Sequence, residues 1–503
     1  MRYRGFVVLI LAIGTFGFSI QSCDSDVSEG EQLAKTYCAS CHMYPEPSLL
    51  PKNVWELSTL PYMGIYLGLD KEIENLPKEL QDYQILKPEK ALISYKDYQK
   101  IKAFYLKKAP NSIDEPYEKV AELKSQFSIE KLPTSNFAKT IANFTAVRID
   151  EKKQKIISGD QSNRFVYMHD EKGQLLSELS DQNALAYVDI KEQKPYLLTY
   201  IGYTTQANPT VNGSVNWMSF YDANEPSQTN VLLNLNRPIE SLSADLDGDG
   251  EDELITNEFG FKEGGLSVWK KDAEGMYIKN VISAQTGATK TIIKDFNNDG
   301  KPDILSLCAQ GDEQIVLYIN KGKLSFEGRQ LLRFPPIYGS SSFDIADIDN
   351  DGDFDIILTT GDNADFTTVL KPYHGVYIFK NEGDFKMNQS QFFRQNGATK
   401  VIAGDFDNDG DVDLVSIALF PDVKNRAEEG LMFFQNNKGK FTNYTLNINH
   451  LGRWSVVDAG DIDQDGDLDL ILGSHPVAKF PAGFDQEWKK GTGLVLLRNN
   501  TKK

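Results

Sequence analysis

An Asp-x-Asp-x-Asp-Gly pattern recurs along the chain and limits its fold more than any other feature. It reads Asp245-x-Asp247-x-Asp249-Gly250 with Glu253, and then Asp295-x-Asn297-x-Asp299-Gly300 with Asp303. It returns as Asp347-x-Asp349-x-Asp351-Gly352 with Asp355, as Asp405-x-Asp407-x-Asp409-Gly410 with Asp413, and as Asp461-x-Asp463-x-Asp465-Gly466 with Asp469. The five starts lie 50, 52, 58 and 56 residues apart. A period of that length marks a repeated supersecondary unit, a propeller blade or a solenoid turn, that buries its apolar faces only against neighbouring copies. Oxygens at positions 1, 3 and 5 suit one hard cation, and glycine at position 6 permits the sharp turn, which is calcium chemistry. A helix-flanked calcium loop places a bidentate Glu at position 12. These place an acid at position 9, followed by a strand-like run such as Ile356-Ile357-Leu358 or Leu470-Ile471-Leu472. The nineteen acids and Asn297 in these loops are the candidate metal ligands, for about five calcium ions.

A strand-like run precedes each loop, as in Val401-Ile402-Ala403, and a hairpin with an Asn or Gly turn follows downstream, as in Tyr318-Ile319-Asn320-Lys321-Gly322. Ala146–Asp150 and Ala186–Asp189 repeat the pre-loop strand without the converging acids, so they should bind no calcium. Five copies plus two predict an all-β seven-bladed propeller over 128–503. Six blades with a separate N-terminal strand pair is the alternative. The loops resemble those of FG-GAP or VCBS propeller repeats, as in integrin α-subunit heads.

The net charge is −19, which argues against nucleic acid and against charge-driven binding to anionic lipid. Five Ca²⁺ would reduce it to −9. Metal binding at such loops is then folding free energy.

The second strong signal is Cys38-Ala39-Ser40-Cys41-His42, a C-x-x-C-H motif for covalent haem c attachment. Two thiols on one helical turn form thioethers, and the adjacent histidine becomes the proximal iron ligand. A zinc site would need two more ligands nearby, and the next histidine is His169. Haem c is attached outside the cytoplasm, and the N-terminus agrees. Arg2 and Arg4 precede an apolar run, Phe6–Ile13, continued by Phe16 and Phe18 and too short for a membrane span. Ser19-Ile20-Gln21-Ser22-Cys23 resembles a lipobox, which implies a lipoprotein signal peptide over 1–22 and lipidation of Cys23. A plain signal peptide or an uncleaved anchor is the alternative. Asp24-Ser25-Asp26 resembles the acidic export signal of surface lipoproteins in the Bacteroidetes group. The fourth cysteine, Cys308, lies in an apolar run and reads as a small core residue, leaving no disulfide.

Residues 23–110 read as a small all-α domain. A helix over Ser28–Ala39 delivers the motif, with Ser28 and Glu31 as a capping box. A second helix over Ser94–Lys108 carries Tyr95, Tyr98, Ile101, Phe104 and Tyr105 at helical spacing. This pair is similar to the terminal helices of class I cytochromes c. Met63 is the expected sixth iron ligand, presented by a loop shaped by Pro61 and Gly64; a water, a lysine or an open position is the alternative. Residues 111–127 read as a linker.

The whole resembles the FG-GAP/VCBS repeat lipoproteins of Bacteroidetes type with an N-terminal cytochrome. The resemblance implies an outer-membrane lipoprotein, surface-exposed or periplasm-facing. One reading is electron transfer to a redox partner protein or envelope complex. The others are recognition of a glycan or protein by the propeller, and a haem-coupled oxidoreductase. No catalytic constellation stands out: His169, His374, His450 and His475 fall in different blades, with Tyr373, His374 and Trp454 able to line one end.

Overall fold

The structure, a computed structural model, describes residues 19–76, 87–113, 119–181, 183–203, 211–222, 225–260, 263–362, 369–446, 448–476, 488 and 493–502. Most of the expected signal peptide, and residues 114–118 of the expected linker, lie outside these. The chain divides into two compact units between Ile113 and Asp114.

In the first unit, α1 (Ser19–Tyr37) leads into a 3-10 turn at Cys38–Ser40. The helix begins upstream of the expected start, so Ser28 lies inside it and does not cap it. No Pro or Gly interrupts residues 19–29, so nothing stops the helix there. Short helices α2 (Lys52–Val54) and α3 (Leu60–Tyr66) follow, and α4 (Tyr95–Lys108) closes the unit. Ser94 caps α4 by accepting the Asp97 N–H at 3.1 Å. Tyr98, Ile101, Phe104 and Tyr105 are buried as the spacing predicts, while Tyr95 stays exposed.

Helices α1 and α4 pack through Gly30. A Cβ there would stand 2.2 Å from the Lys100 carbonyl oxygen and 3.0 Å from Phe104 Cβ, so glycine alone permits this approach. Beside the crossing, the Trp55 and Tyr105 rings pack at 4.4 Å between centroids, tilted by 47°, and Tyr105 donates to the Pro45 carbonyl at 2.8 Å. Glu72, fully buried, is held by Lys102 at 2.8 Å and by Asn75 at 2.8 Å.

The second unit is a propeller with seven antiparallel sheets among the described residues. Blades 1–6 use strands within 144–180, 184–235, 238–283, 288–334, 340–394 and 398–445. Blade 7 takes three strands from 454–499 and its fourth from β2 (Phe127–Lys131), paired from Phe127↔Asn499 to Lys131↔Val495. Strand β1 (Ala121–Glu122) adds to blade 6 in parallel, Ala121 opposite Tyr444. Part of the expected linker is thus propeller edge. The N-terminal strands form no separate pair, which removes the six-blade alternative. The first strand of each blade neighbours the first strand of the next, and Trp454–Gly460 of blade 7 returns to Phe144–Asp150 of blade 1, closing the ring.

The core is a set of layers between blades. Leu358 and Ile356 pack with Leu305 and Leu317 of blade 4, whereas Ile357 packs with Val401 and Leu414 of blade 6. Successive strand side chains point to opposite faces, and both faces are covered. That is why the second strands, such as Asp355–Thr360 and Asp413–Ala418, are buried throughout.

Four seams share one polar clamp, an acid on a first strand accepting a backbone N–H from the next blade's first strand. Asp189 takes Ser243 at 3.0 Å, Glu240 takes Thr291 at 2.6 Å, Asp344 takes Ala403 at 3.1 Å, and Asp458 takes Ile149 at 2.8 Å across the closure.

Candidate metal loops and the Cys38–His42 turn

The five acidic loops share one frame. The first aspartate accepts the glycine N–H at position 6: Asp245 from Gly250 at 3.0 Å, Asp295 from Gly300 at 2.8 Å, Asp347 from Gly352 at 2.9 Å, Asp405 from Gly410 at 3.0 Å and Asp461 from Gly466 at 3.0 Å. Those glycines hold φ between +86° and +94°. A Cβ on the first four would meet nothing within 4 Å, so backbone conformation and not space selects glycine there.

The acid at position 9 brackets each loop from below. It is buried, and it accepts the N–H of the second loop residue: Glu253 from Leu246 at 2.9 Å, Asp303 from Phe296 at 3.1 Å, Asp355 from Ile348 at 3.1 Å, Asp413 from Phe406 at 3.2 Å and Asp469 from Ile462 at 3.4 Å. In four blades its other oxygen accepts the N–H of a third-strand asparagine, at 2.8 Å from Asn320, Asn381 and Asn499 and at 2.7 Å from Asn436. Sequence reasoning missed that role, because Asn320, Asn381 and Asn436 read as turn markers. Their recurrence just before a hairpin turn was the available signal.

In four loops three carboxylates bring oxygens within 4.8 Å of one another: Asp245, Asp247 and Glu253; Asp347, Asp349 and Asp351; Asp405, Asp407 and Asp413; and Asp461, Asp463 and Asp465. Asp249, Asp409, Asp355 and Asp469 stand outside these sets. In the fifth loop Asn297 replaces an acid, and Asp295, Asp299 and Asp303 form no such set among the described residues. Each charged pair at such a distance repels by about 3 kcal/mol at an effective dielectric of 20. Burial, with Asp407 and Asp409 nearby, pushes the Asp413 carboxyl up to about 7. Burial and Asp463 do the same for Asp469, also to about 7. Hard oxygen donors, a tight turn and uncompensated buried charge fit calcium. In blades 1 and 2 the corresponding acids have other partners: Asp150 holds Lys153 N–H at 2.9 Å and the Tyr196 hydroxyl at 2.8 Å, and Asp189 serves its clamp.

In the first unit, Cys38 is half-buried and Cys41 exposed, both as free thiols on the turn that ends α1. Burial pushes the Cys38 thiol up to about 11. His42 Nδ1 lies 2.9 Å from the Met43 carbonyl oxygen, a contact that places the proton on Nδ1 and the lone pair on Nε2. A metal-binding histidine is commonly oriented this way, so the donor set fits haem attachment. Met63 stands on helix α3 and not in a loop, half-buried against Tyr62, Ile65 and Leu76. Pro61 sits in the first turn of that helix, where its missing N–H is harmless. Cys23 lies on α1.

Of the residues weighed for catalysis, His169 is buried with Nε2 2.8 Å from the Pro133 carbonyl, His374 is buried, and burial pushes His475 down to about 4. Trp454 is a fully buried core residue. Cys308 is half-buried with its thiol 3.1 Å from the Thr286 carbonyl. Among the described residues no helix is long and apolar enough to cross a membrane.

A family model for the FG-GAP-like repeat matches residues 295–358, from the second loop into the second strand of blade 5. No curated protein matches the chain. Among solved structures, the Dos1 propeller is similar at 10% identity and TM-score 0.43, covering 75% of this chain and 81% of that one. A streptogramin B lyase is similar at 12% and 0.46, covering 75% and 98%. The Cps50 (Swd1) β-propeller domain of Myceliophteria thermophila is similar at 9% and 0.45, covering 74% and 100%. At these identities and scores none bears on function.

Proposed function

We propose that the chain is a lipid-anchored envelope protein that carries one covalent haem c for electron transfer, with a calcium-stabilised FG-GAP-type propeller as the scaffold that docks its redox partner. The observation that carries this reading is the Cys38–His42 turn. Two free thiols and an oriented imidazole stand together at the end of a helix packed on a second helix, with Trp55 and Tyr105 at the crossing. Haem bound there supplies a one-electron couple, and methionine as sixth ligand would raise its potential. In this reading Cys38 and Cys41 hold the group, His42 offers Nε2 to the iron, and Met63 is the candidate sixth ligand. Cys23 carries the lipid, and the outer membrane is the expected location.

The test is the optical spectrum of protein matured in a host that attaches haem c. Covalent low-spin haem is expected in both redox states, with the low-spin form lost in Met63→Ala. A haem-free chain with free thiols at Cys38 and Cys41 refutes the reading. Unchanged spectra in Met63→Ala remove Met63 alone. Mass spectrometry of the mature N-terminus checks the anchor, which an unacylated N-terminal residue other than Cys23 excludes.

A further inference from the structure

Strand register puts one third-strand residue opposite the position-9 acid in every loop-bearing blade. The pairs Leu254↔Trp269, Ile304↔Tyr318, Ile356↔Phe379, Leu414↔Phe434 and Leu470↔Leu497 fix the alignment. One residue further along, the places are held by Lys270, Ile319, Lys380, Gln435 and Arg498. The loops therefore share a backbone frame but differ in what faces their acids.

Lys270 stands apart. Its Nζ contacts Asp247, lies 2.6 Å from Asp249 Oδ2 and lies 3.4 Å from Glu253 Oε1, so one ammonium engages positions 3, 5 and 9 together. Among the described residues Lys380 pairs only with Asp349, at 2.9 Å. Arg498 divides its guanidinium between Asp463 at 3.2 Å and Glu130 of β2 at 3.0 Å. Gln435 offers Asp407 a neutral amide at 2.5 Å. Among the described residues no side-chain cation pairs with Asp405, Asp407, Asp409 or Asp413.

We propose that Lys270 is a built-in counter-ion of the Asp245 loop, which therefore takes calcium only at concentrations that already fill the Asp405 loop. The inference rests on the calcium reading above. A divalent cation needs the same carboxylate oxygens that the ammonium holds, and two cations cannot share a site of that size. Calcium must first displace Lys270 into solvent, a path open to it because its side chain is 37% exposed. At the Asp405 loop calcium displaces only a neutral amide. Calcium affinity follows the charge count of the ligand set, and Lys270 lowers that count by one while holding three of the ligand positions, whereas no side-chain cation among the described residues lowers it in the Asp405 loop.

The experiment counts calcium bound per full-length chain by equilibrium dialysis and elemental analysis, at free calcium just sufficient for the tight sites of the wild type. Lys270→Met should bind one more ion per chain, through a gain of about tenfold or more at that loop. Asp247→Asn should leave the wild-type count unchanged and cancel the gain in Lys270→Met. Thermal melts in calcium confirm that each variant folds. An unchanged count in Lys270→Met overturns the inference, as does an ion lost from the wild type on Asp247→Asn. Absence of bound calcium from wild type and variants alike overturns the calcium reading itself.

Discussion

Asp458→Ala should loosen the propeller where the ring closes. Blades 7 and 1 meet there through first strands far apart in the chain, Ile149 and Asp458 being 309 residues apart. Asp458 accepts the Ile149 N–H at 2.8 Å, and its carboxylate stands 3.5 Å from Arg148 Nε. Alanine strips that N–H of its acceptor in a partly buried seam, at about 1–3 kcal/mol. It also removes a partly exposed ion pair worth up to about 1 kcal/mol. Arg148 keeps its contact with the Tyr187 hydroxyl at 3.2 Å, so the guanidinium is not abandoned. The total is about 1–4 kcal/mol, centred near 2.5. Residues 114–503 unfold with an entropy of about 0.8 kcal/mol/K, so the midpoint should fall by about 3 °C. Scanning calorimetry in saturating calcium measures it. Asp458→Asn, which keeps a carbonyl acceptor and loses only the charge, should recover more than half of the shift. An alanine midpoint within 0.5 °C of wild type (about 0.4 kcal/mol), or an asparagine variant as weak as alanine, would refute the clamp argument.

Other consequences divide between the two units. Lys102→Met leaves Glu72 buried with only neutral partners, and the first unit should lose about 3 kcal/mol in urea titration while the propeller transition stays in place. Gly30→Val forces α1 from α4, because even a Cβ would stand 2.2 Å from the Lys100 oxygen; the helical signal of the first unit should melt several degrees earlier. Glu313 is buried against the N–H groups of Gly339 and Ser340, and burial pushes its carboxyl from 4.5 up to about 7. The folded state therefore holds this proton more tightly than the unfolded chain. The stability it contributes is complete below about pH 4.5 and is lost as pH rises to about 7, by about 3 kcal/mol at most. Glu313→Gln should flatten that part of the pH–stability curve, and an unchanged slope would remove Glu313 as its source.

The parts of the fold legible in the sequence are those written in local chemistry. The Asp-x-Asp-x-Asp-Gly frame needs glycine at one φ and acids at fixed spacing, so its period gave the blades, and Ala146–Asp150 and Ala186–Asp189 completed the count of seven. What could not be read depends on distant partners. Nothing local to Phe127–Lys131 says that it pairs with Leu494–Asn499 as the outer strand of the last blade, and Ala121–Glu122 resembles linker because its pairing partner lies in blade 6. Met63 read as a loop residue because Pro61 and Gly64 are turn formers in isolation. In the structure Pro61 lies in helical backbone that continues from a π turn at Trp55–Thr59, and Gly64 lets Glu72 and Tyr98 close in, a Cβ there standing 2.5 Å from Glu72 Cγ. The position-9 acids were legible as acids of the loop, but their bracketing of backbone N–H groups from the loop and the third strand was not.

The most direct test of the account is one thermal melt of haem-matured protein, with and without a calcium chelator, followed at the haem band and in the far ultraviolet together. The account predicts covalent haem absorbance whose melt ignores the chelator, and a β-sheet transition that the chelator moves to lower temperature. A β-sheet transition indifferent to the chelator, or a chain without haem absorbance, would contradict it.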